Sequence, residues 1–341
     1  MQVLTMASDE LFSRRPDERF ETLQELWNRC HNDKRQSLDR WHPPQALKVE
    51  PAGRNPQLVL GQDGTFQLND WSFSQLCRLA NVSKDTVNRV SSDTACRILT
   101  ETLPTDGKPL QALTLDDDVR ALHAASYTRL YNVDLLTMLR EFATDFQPPQ
   151  KGVNGATGLY CGEQDMFCFL IDPTGWAEID GEAFAPGFFL WNSEVGRRSV
   201  GVQTFWFQAV CANHIVWDAI DVVEFTRKHT ANVHEAIDGI RRVILNLVEK
   251  RDERRDGFVR VISNAMKTKL GENADAVIAT LVKNGIGKSV AKQALEIAQR
   301  QGRFTIFSIV DALTRISGSM KFAGDRAEAD EKAGKLLALA A

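Results

Sequence analysis

The chain has 341 residues, 43% hydrophobic and 25% charged, with 41 Lys and Arg against 45 Asp and Glu for a net charge of −4. That composition excludes a wholly disordered or collagen-like chain and a polybasic coat for nucleic acid, and the length suits one large domain or two average ones. No apolar run approaches the ~20 residues of a membrane span, and residues 1–20 bring acids early with no apolar leader, so the sequence predicts no membrane association and a cytoplasmic location.

In chain order, Leu23, Leu26 and Trp27 recur at helical spacing, and Trp41-His42-Pro43-Pro44 ends that run. Residues 1–56 therefore read as an N-terminal helical segment. Leu58-Val59-Leu60 and Thr65-Phe66-Gln67-Leu68 flank Gly61-Gln62-Asp63-Gly64, the pattern of a hairpin. Helical pattern returns over 72–102 in at least two pieces, and 110–126 alternates as a second hairpin turning at Asp116-Asp117-Asp118. Asn132 is placed to cap a helix from Val133 to about Ala143, and residues 147–152 read as a linker. Residues 159–171, 184–191, 200–212 and 222–227 hold most β-branched and aromatic side chains, with no helical run between them. After Thr230 the pattern is helical to the end, with stripes at Ile237, Ile240, Ile244, Leu247 and Val248 and again over 278–297. The predicted fold is α+β: a central antiparallel β-sheet with helices before it and a helical C-terminal region. Its divisions are 1–56, an α+β core over 57–230, and helices over 231–341.

The six cysteines (Cys30, Cys77, Cys96, Cys161, Cys168, Cys211) contain no Cys-x-x-Cys pair, so they read as buried free thiols. The histidines form no metal-ligand pattern, and neither a metal nor another cofactor is expected. Enzyme templates are missing: there is no phosphate-binding loop motif, no dinucleotide fingerprint and no nucleophile elbow. Gly285-Ile286-Gly287-Lys288-Ser289 echoes the end of a phosphate-binding loop but lacks the first glycine at the right spacing and the preceding strand, so it reads as a turn between two helices with Ser289 near a helix N-terminus. The acids at 116–118 read as a solvated turn, with a metal-dependent nuclease as the enzymatic alternative.

Charge is uneven. Residues 227–303 hold sixteen Lys and Arg against nine Asp and Glu, a local excess of seven positive charges that leaves the remainder acidic. Lys250, Arg251, Arg254, Arg255 and Arg260 crowd one stretch, which reads as a solvated helix laced with ion pairs. In the strand-rich centre Phe205, Trp206 and Phe207 are consecutive and must point to both faces of a strand. Beside them runs the polar turn Asn192-Ser193-Glu194-Val195-Gly196-Arg197-Arg198-Ser199. Flat rings beside arginines suit a sequence-tolerant single-strand binder, in which Arg197, Arg198, Arg227 and Lys228 would contact phosphates and Trp191, Trp206 and Phe207 would stack on bases.

The segment Leu76-Cys77-Arg78-Leu79-Ala80-Asn81-Val82-Ser83-Lys84-Asp85-Thr86-Val87-Asn88-Arg89-Val90 resembles the helix-turn-helix of lactose-repressor-type regulators. Asn81 tolerates a left-handed turn and Ser83 can cap a second helix. Lys84, Asn88 and Arg89 would then face a duplex groove as an alternative reading.

Three further segments carry a wider resemblance. They are Asp118-Val119-Arg120-Ala121-Leu122-His123-Ala124-Ala125-Ser126-Tyr127-Thr128-Arg129-Leu130, then Asn192-Ser193-Glu194-Val195-Gly196 with Val210-Cys211-Ala212-Asn213, and Thr305-Ile306-Phe307-Ser308-Ile309-Val310-Asp311-Ala312-Leu313-Thr314. Together they resemble, in order, the phage/plasmid-like family called domain of unknown function 932. That resemblance implies a mobile-element context and no catalytic residues. The resulting expectation is a non-enzymatic DNA-binding protein of a phage or plasmid, acting on single strands in recombination or replication as a homo-oligomer. A counter-defence factor that binds a host protein through the acidic N-terminal half is the remaining alternative.

Overall fold

The computed structural model describes residues 10–149, 158–208, 214–217, 224–300 and 304–340. The N-terminal part runs β1 (Glu18–Phe20), α1 (Leu23–Gln36), β2 (Ser37–His42), β3 (Leu47–Ala52), β4 (Asn55–Leu60) and β5 (Thr65–Leu68). It continues with α2 (Asp70–Leu79), α3 (Lys84–Val87), α4 (Ser92–Thr102), β6 (Leu110–Leu115), β7 (Asp118–Ala124) and α5 (Asn132–Phe142). The centre holds β8 (Leu159–Cys161), β9 (Met166–Ile171), β10 (Ala177–Ile179), β11 (Glu182–Asn192), β12 (Val200–Gln208), β13 (His214–Trp217) and β14 (Glu224–Arg227). Helices α6 (Ala236–Glu249), α7 (Arg251–Lys267), α8 (Ala274–Lys283), α9 (Lys288–Arg300), α10 (Ile306–Ser317) and α11 (Ala323–Gly334) follow.

This is the expected α+β class, with its antiparallel centre and helical C-terminal region, but the strands form two sheets. The central, wholly antiparallel sheet has the order β1-β8-β9-β11-β12-β13, with β10 also pairing β11 and β14 also pairing β12. The second sheet has the order β2-β6-β7-β5-β4-β3 and is antiparallel except where β5 meets β7. Both expected hairpins are present, as β4–β5 and β6–β7, and Asp116 takes the positive φ of 47° that the second turn needs.

The N-terminal expectation is corrected. Only α1 is an α-helix within residues 10–56; β2 pairs with β6 and β3 with β4, so this part of the chain is woven into the second sheet and is no separate helical segment. Thr22 and Glu25 start α1 with a reciprocal capping box, and Leu26 and Cys30 turn its apolar face inward. Asn132 is likewise not a cap: it is the first residue of α5, and its side-chain oxygen accepts instead from Asn192 Nδ2 at 2.8 Å. Of the expected linker, residues 150–152 lie outside the described residues, while Gln147 bonds both ways with Ile171.

Near-continuous apolar strands imply a sheet covered on both faces, and the packing agrees. Alternate residues Cys168, Leu170, Phe188, Leu190, Val200 and Val202 face α1, α5 and α6. Residues of the opposite parity, among them Phe167, Phe169, Phe189, Phe205 and Phe207, lie under α11 through Ala323 and Ala327. At the far end of the sheet Phe184 and Trp206 meet α7 and α10. The second sheet buries one face against α2 and α4 through Leu58, Leu60, Phe73, Leu76 and Leu99. Among the described residues no helix is long and apolar enough to cross a membrane.

Candidate nucleic-acid interface

The expected stacking rings are enclosed. Trp206 is fully buried and lies parallel to Phe258 of α7, with ring centroids 4.2 Å apart. Phe207 is buried on the opposite face, and Trp191 is buried flat across Gly201, where a Cβ would come within 2.2 Å of the indole. None of the three presents a ring to a base. The reason is the same period of two that exposed them in the sequence: each face of β12 has its own helical cover.

The expected cations gather at one end of the central sheet, since Val200 pairs with Arg227 and sits two residues after Arg198. Most are engaged with acids. Arg198 Nε donates to the buried Asp165 at 3.0 Å and lies 5.0 Å over the Phe167 ring. Arg227 is paired with Glu235 at 2.6 Å. Arg197 is exposed 5.8 Å from the Trp71 ring, and Lys228 is exposed. On α7, Arg251 is paired with Asp172 at 2.6 Å, Arg255 bridges Asp252 and Asp256, and Arg254 is buried against Thr204. A composite surface of arginines and flat rings is therefore not formed there.

The α2–α3 pair has the local geometry expected of it. Asn81 adopts φ 54°, and Ser83 caps α3 by accepting from the Thr86 amide. The side chains expected to face a groove are placed otherwise. α3 spans only four residues, and Asn88 is buried, accepting from Phe12 N at 2.9 Å and donating to Phe12 O at 2.8 Å. Lys84 pairs with Asp70 at 2.5 Å, and Arg89 is exposed beyond the end of this turn. The helix pair packs into the core of the second sheet, and the expectation that Asn88 faces a groove is corrected: it is buried against Phe12.

The turn residues of the polar loop serve a different end. Glu194 is buried where the two sheets meet: Arg120 Nη1 donates to its Oε2 at 2.8 Å, the Asn132 amide to its Oε1 at 2.8 Å, and Arg129 to its carbonyl. Tyr127 donates to the carbonyls of Ser193 and Glu194, and the Trp71 indole donates to Val195 O at 2.8 Å. Tyr127 is itself stacked between His123, at 3.7 Å, and His229, at 5.3 Å. Burial, with Arg129 nearby, pushes His123 down to about 3, and burial pushes His229 down to about 4 against the opposing Thr128 backbone. Burial also raises the Tyr127 hydroxyl. These groups are neutral packing at neutral pH. Cys211 lies outside the described residues, and among those described no group of three or more His, Cys, Asp or Glu could hold a metal ion.

An open cationic tip lies elsewhere, in the turn joining α8 to α9. The Ile286 amide bonds back to Leu281 O at 3.0 Å and Gly285 takes φ 79°, a helix stop that buries Ile286. The Ala291 amide then bonds to Gly287 O at 2.9 Å, so the amides of Lys288, Ser289 and Val290 precede the first intrahelical bond of α9. A Cβ at Gly285 or Gly287 would meet nothing within 4 Å, which leaves this backbone bare. Lys283, Lys288 and Lys292 surround it, all exposed, and no ion pair among the described residues engages them. Reading the sequence identifies this segment as a turn between helices and sets aside its likeness to a phosphate-binding loop, without placing the lysines of both helices around it. The available signal was the pair of glycines followed by lysines.

No family model, curated protein or solved structure matches this chain.

Proposed function

We propose that this protein binds nucleic acid through its phosphodiester backbone, gripping it with the tip of the α8–α9 hairpin. The observation that supports this reading is the coincidence of bare helix-start amides with three exposed lysines around a glycine turn. A phosphate at such a tip meets backbone N–H groups and the positive end of the α9 dipole, and lysines on the adjoining turns add charge. Contacts of this kind fix position and are indifferent to sequence. With Trp191, Trp206 and Phe207 enclosed and Asn88 turned inward, they are the contacts this reading relies on.

Three lysines per chain give few phosphate contacts, so the proposal includes several copies acting together on one strand. Membership of domain of unknown function 932, a phage or plasmid context and a cytoplasmic location belong to the same proposal. The residues quoted for that resemblance, Arg120, Arg129, Asn192 and Glu194, meet in one hydrogen-bonded junction between the sheets.

The test is purification without nuclease. The wild-type protein is expected to retain nucleic acid, seen in its ultraviolet absorbance ratio and released by a salt wash. Lys283→Ala/Lys288→Ala/Lys292→Ala is expected to emerge folded and free of it. A wild-type preparation that carries none and does not retard labelled DNA at low salt overturns the proposal.

A further inference from the structure

A cleft of about 690 Å³ opens beside the end of β12, between the last turn of α7 and the first turns of α10. Gln208 closes its inner end. This residue pairs in register with Phe184, so Glu182, two positions earlier on β11, is its diagonal neighbour on the same face of the sheet. Gln208 Nε2 donates to Glu182 Oε2 at 2.9 Å. An ionised carboxylate only accepts, so this bond fixes which way the amide lies and turns Gln208 Oε1 away from Glu182. That oxygen is buried without a hydrogen-bond partner, on a residue only 2% exposed that borders the cleft. A buried acceptor with no donor is costly and uncommon. The cleft is where a donor can reach it.

The charges around the cleft say what kind of donor. Glu182 lines it, as does Asp180, which takes φ 50° in the turn between β10 and β11. No ion pair among the described residues neutralises either carboxylate. A third acid in the lining, Asp311, is already held by Arg315 at 3.0 Å. The carboxylates are not grouped as a metal ion needs. Opposite the acids stands Lys267, the exposed last residue of α7, with no ion pair among the described residues, and Met266 and Phe307 add apolar wall.

We propose that this cleft binds a small amino acid, whose ammonium group donates to Gln208 Oε1 and to Glu182 while its carboxylate meets Lys267. The ammonium supplies N–H donors and positive charge together, which satisfies the orphaned oxygen and the two free carboxylates at once. Met266 and Phe307 face the carbon skeleton between the two charged ends. The site uses none of the residues of the α8–α9 tip, so neither assignment depends on the other.

The test titrates the full chain with four probes that share a four-carbon skeleton: butylamine, putrescine, γ-aminobutyrate and butyrate. Binding is read by ligand-observed nuclear magnetic resonance at millimolar concentration. The expected order is γ-aminobutyrate ahead of butylamine, with butyrate unbound. Gln208→Leu, which removes the acceptor, is expected to weaken γ-aminobutyrate by roughly ten- to a hundredfold. Two exposed substitutions keep the test open if that variant does not fold. Asp180→Asn, whose side chain tolerates the left-handed turn, is expected to weaken both γ-aminobutyrate and butylamine. Lys267→Ala is expected to bring γ-aminobutyrate down to the level of butylamine. The proposal is overturned if neither γ-aminobutyrate nor butylamine binds, if butyrate or putrescine binds more tightly than γ-aminobutyrate, or if Asp180→Asn and Lys267→Ala leave the affinities unchanged.

Discussion

Glu194 Oε2 accepts a 2.8 Å bond from the Arg120 guanidinium across the seam between the two sheets. The carboxylate is 2% exposed and the guanidinium side chain 10%, so neither charge is left to water. Because its other oxygen accepts the amide that starts α5, this side chain joins the central sheet, the second sheet and a helix at one point. Breaking a buried pair on one side strands the other charge at a cost of about 3–5 kcal/mol. Glu194→Ala is therefore expected to lower the unfolding free energy measured by urea denaturation by that order, and Glu194→Leu/Arg120→Met to lower it less than the single change. A single variant as stable as wild type would remove the pair from the account.

The enclosed histidines give a pH prediction of definite sign. In the unfolded chain each histidine titrates near its ordinary ~6.5, whereas burial holds His123 down to about 3 and His229 to about 4 in the fold. The unfolded state therefore binds more protons between these limits, and stability falls as pH falls from about 6.5 towards 4. Denaturation midpoints measured from pH 7 to pH 5 should decline in the wild type. The decline should be shallower in His123→Phe, which keeps a ring beside Tyr127. Equal slopes would show that other groups set the dependence.

The aromatic centre is predicted to matter for folding and not for binding. Trp206 fills the space over Phe258, and replacing it with alanine should cost about 3–5 kcal/mol. Trp206→Phe is expected to remain folded and to bind nucleic acid like the wild type. Loss of binding in that folded variant would return the ring to the interface.

The same residues show what the sequence discloses. Both hairpins, the α2–α3 turn and the α8–α9 turn were legible because their signals are local: glycines or acids between alternating runs, and left-handed positions at Asn81 and Gly285. The strand β2 was not legible. It is an edge strand with Leu38 and Trp41 both exposed, so its residues lack the alternation that marks a half-buried strand. The burial of Trp206 was beyond local reading for another reason. A period of two assigns Phe205 and Trp206 to opposite faces but says nothing of what covers each, which is decided by α7 and α11 far along the chain. Asn88 is a similar case: its spacing suits a groove, yet its partner is Phe12, 76 residues away.

The most direct measurement is the salt dependence of binding to labelled single-stranded and duplex DNA, compared between the wild type and the Lys283, Lys288 and Lys292 variants. Each phosphate contact contributes roughly 0.7 to the log–log slope on a single strand and roughly 0.9 on a duplex. Each Lys→Ala change is expected to flatten the slope by up to that amount per bound chain, while Arg198→Ala and Asn88→Ala leave the slope of the folded protein unchanged. Binding that retains its full slope and affinity after all three lysines are removed would contradict the assignment of the interface to the α8–α9 tip.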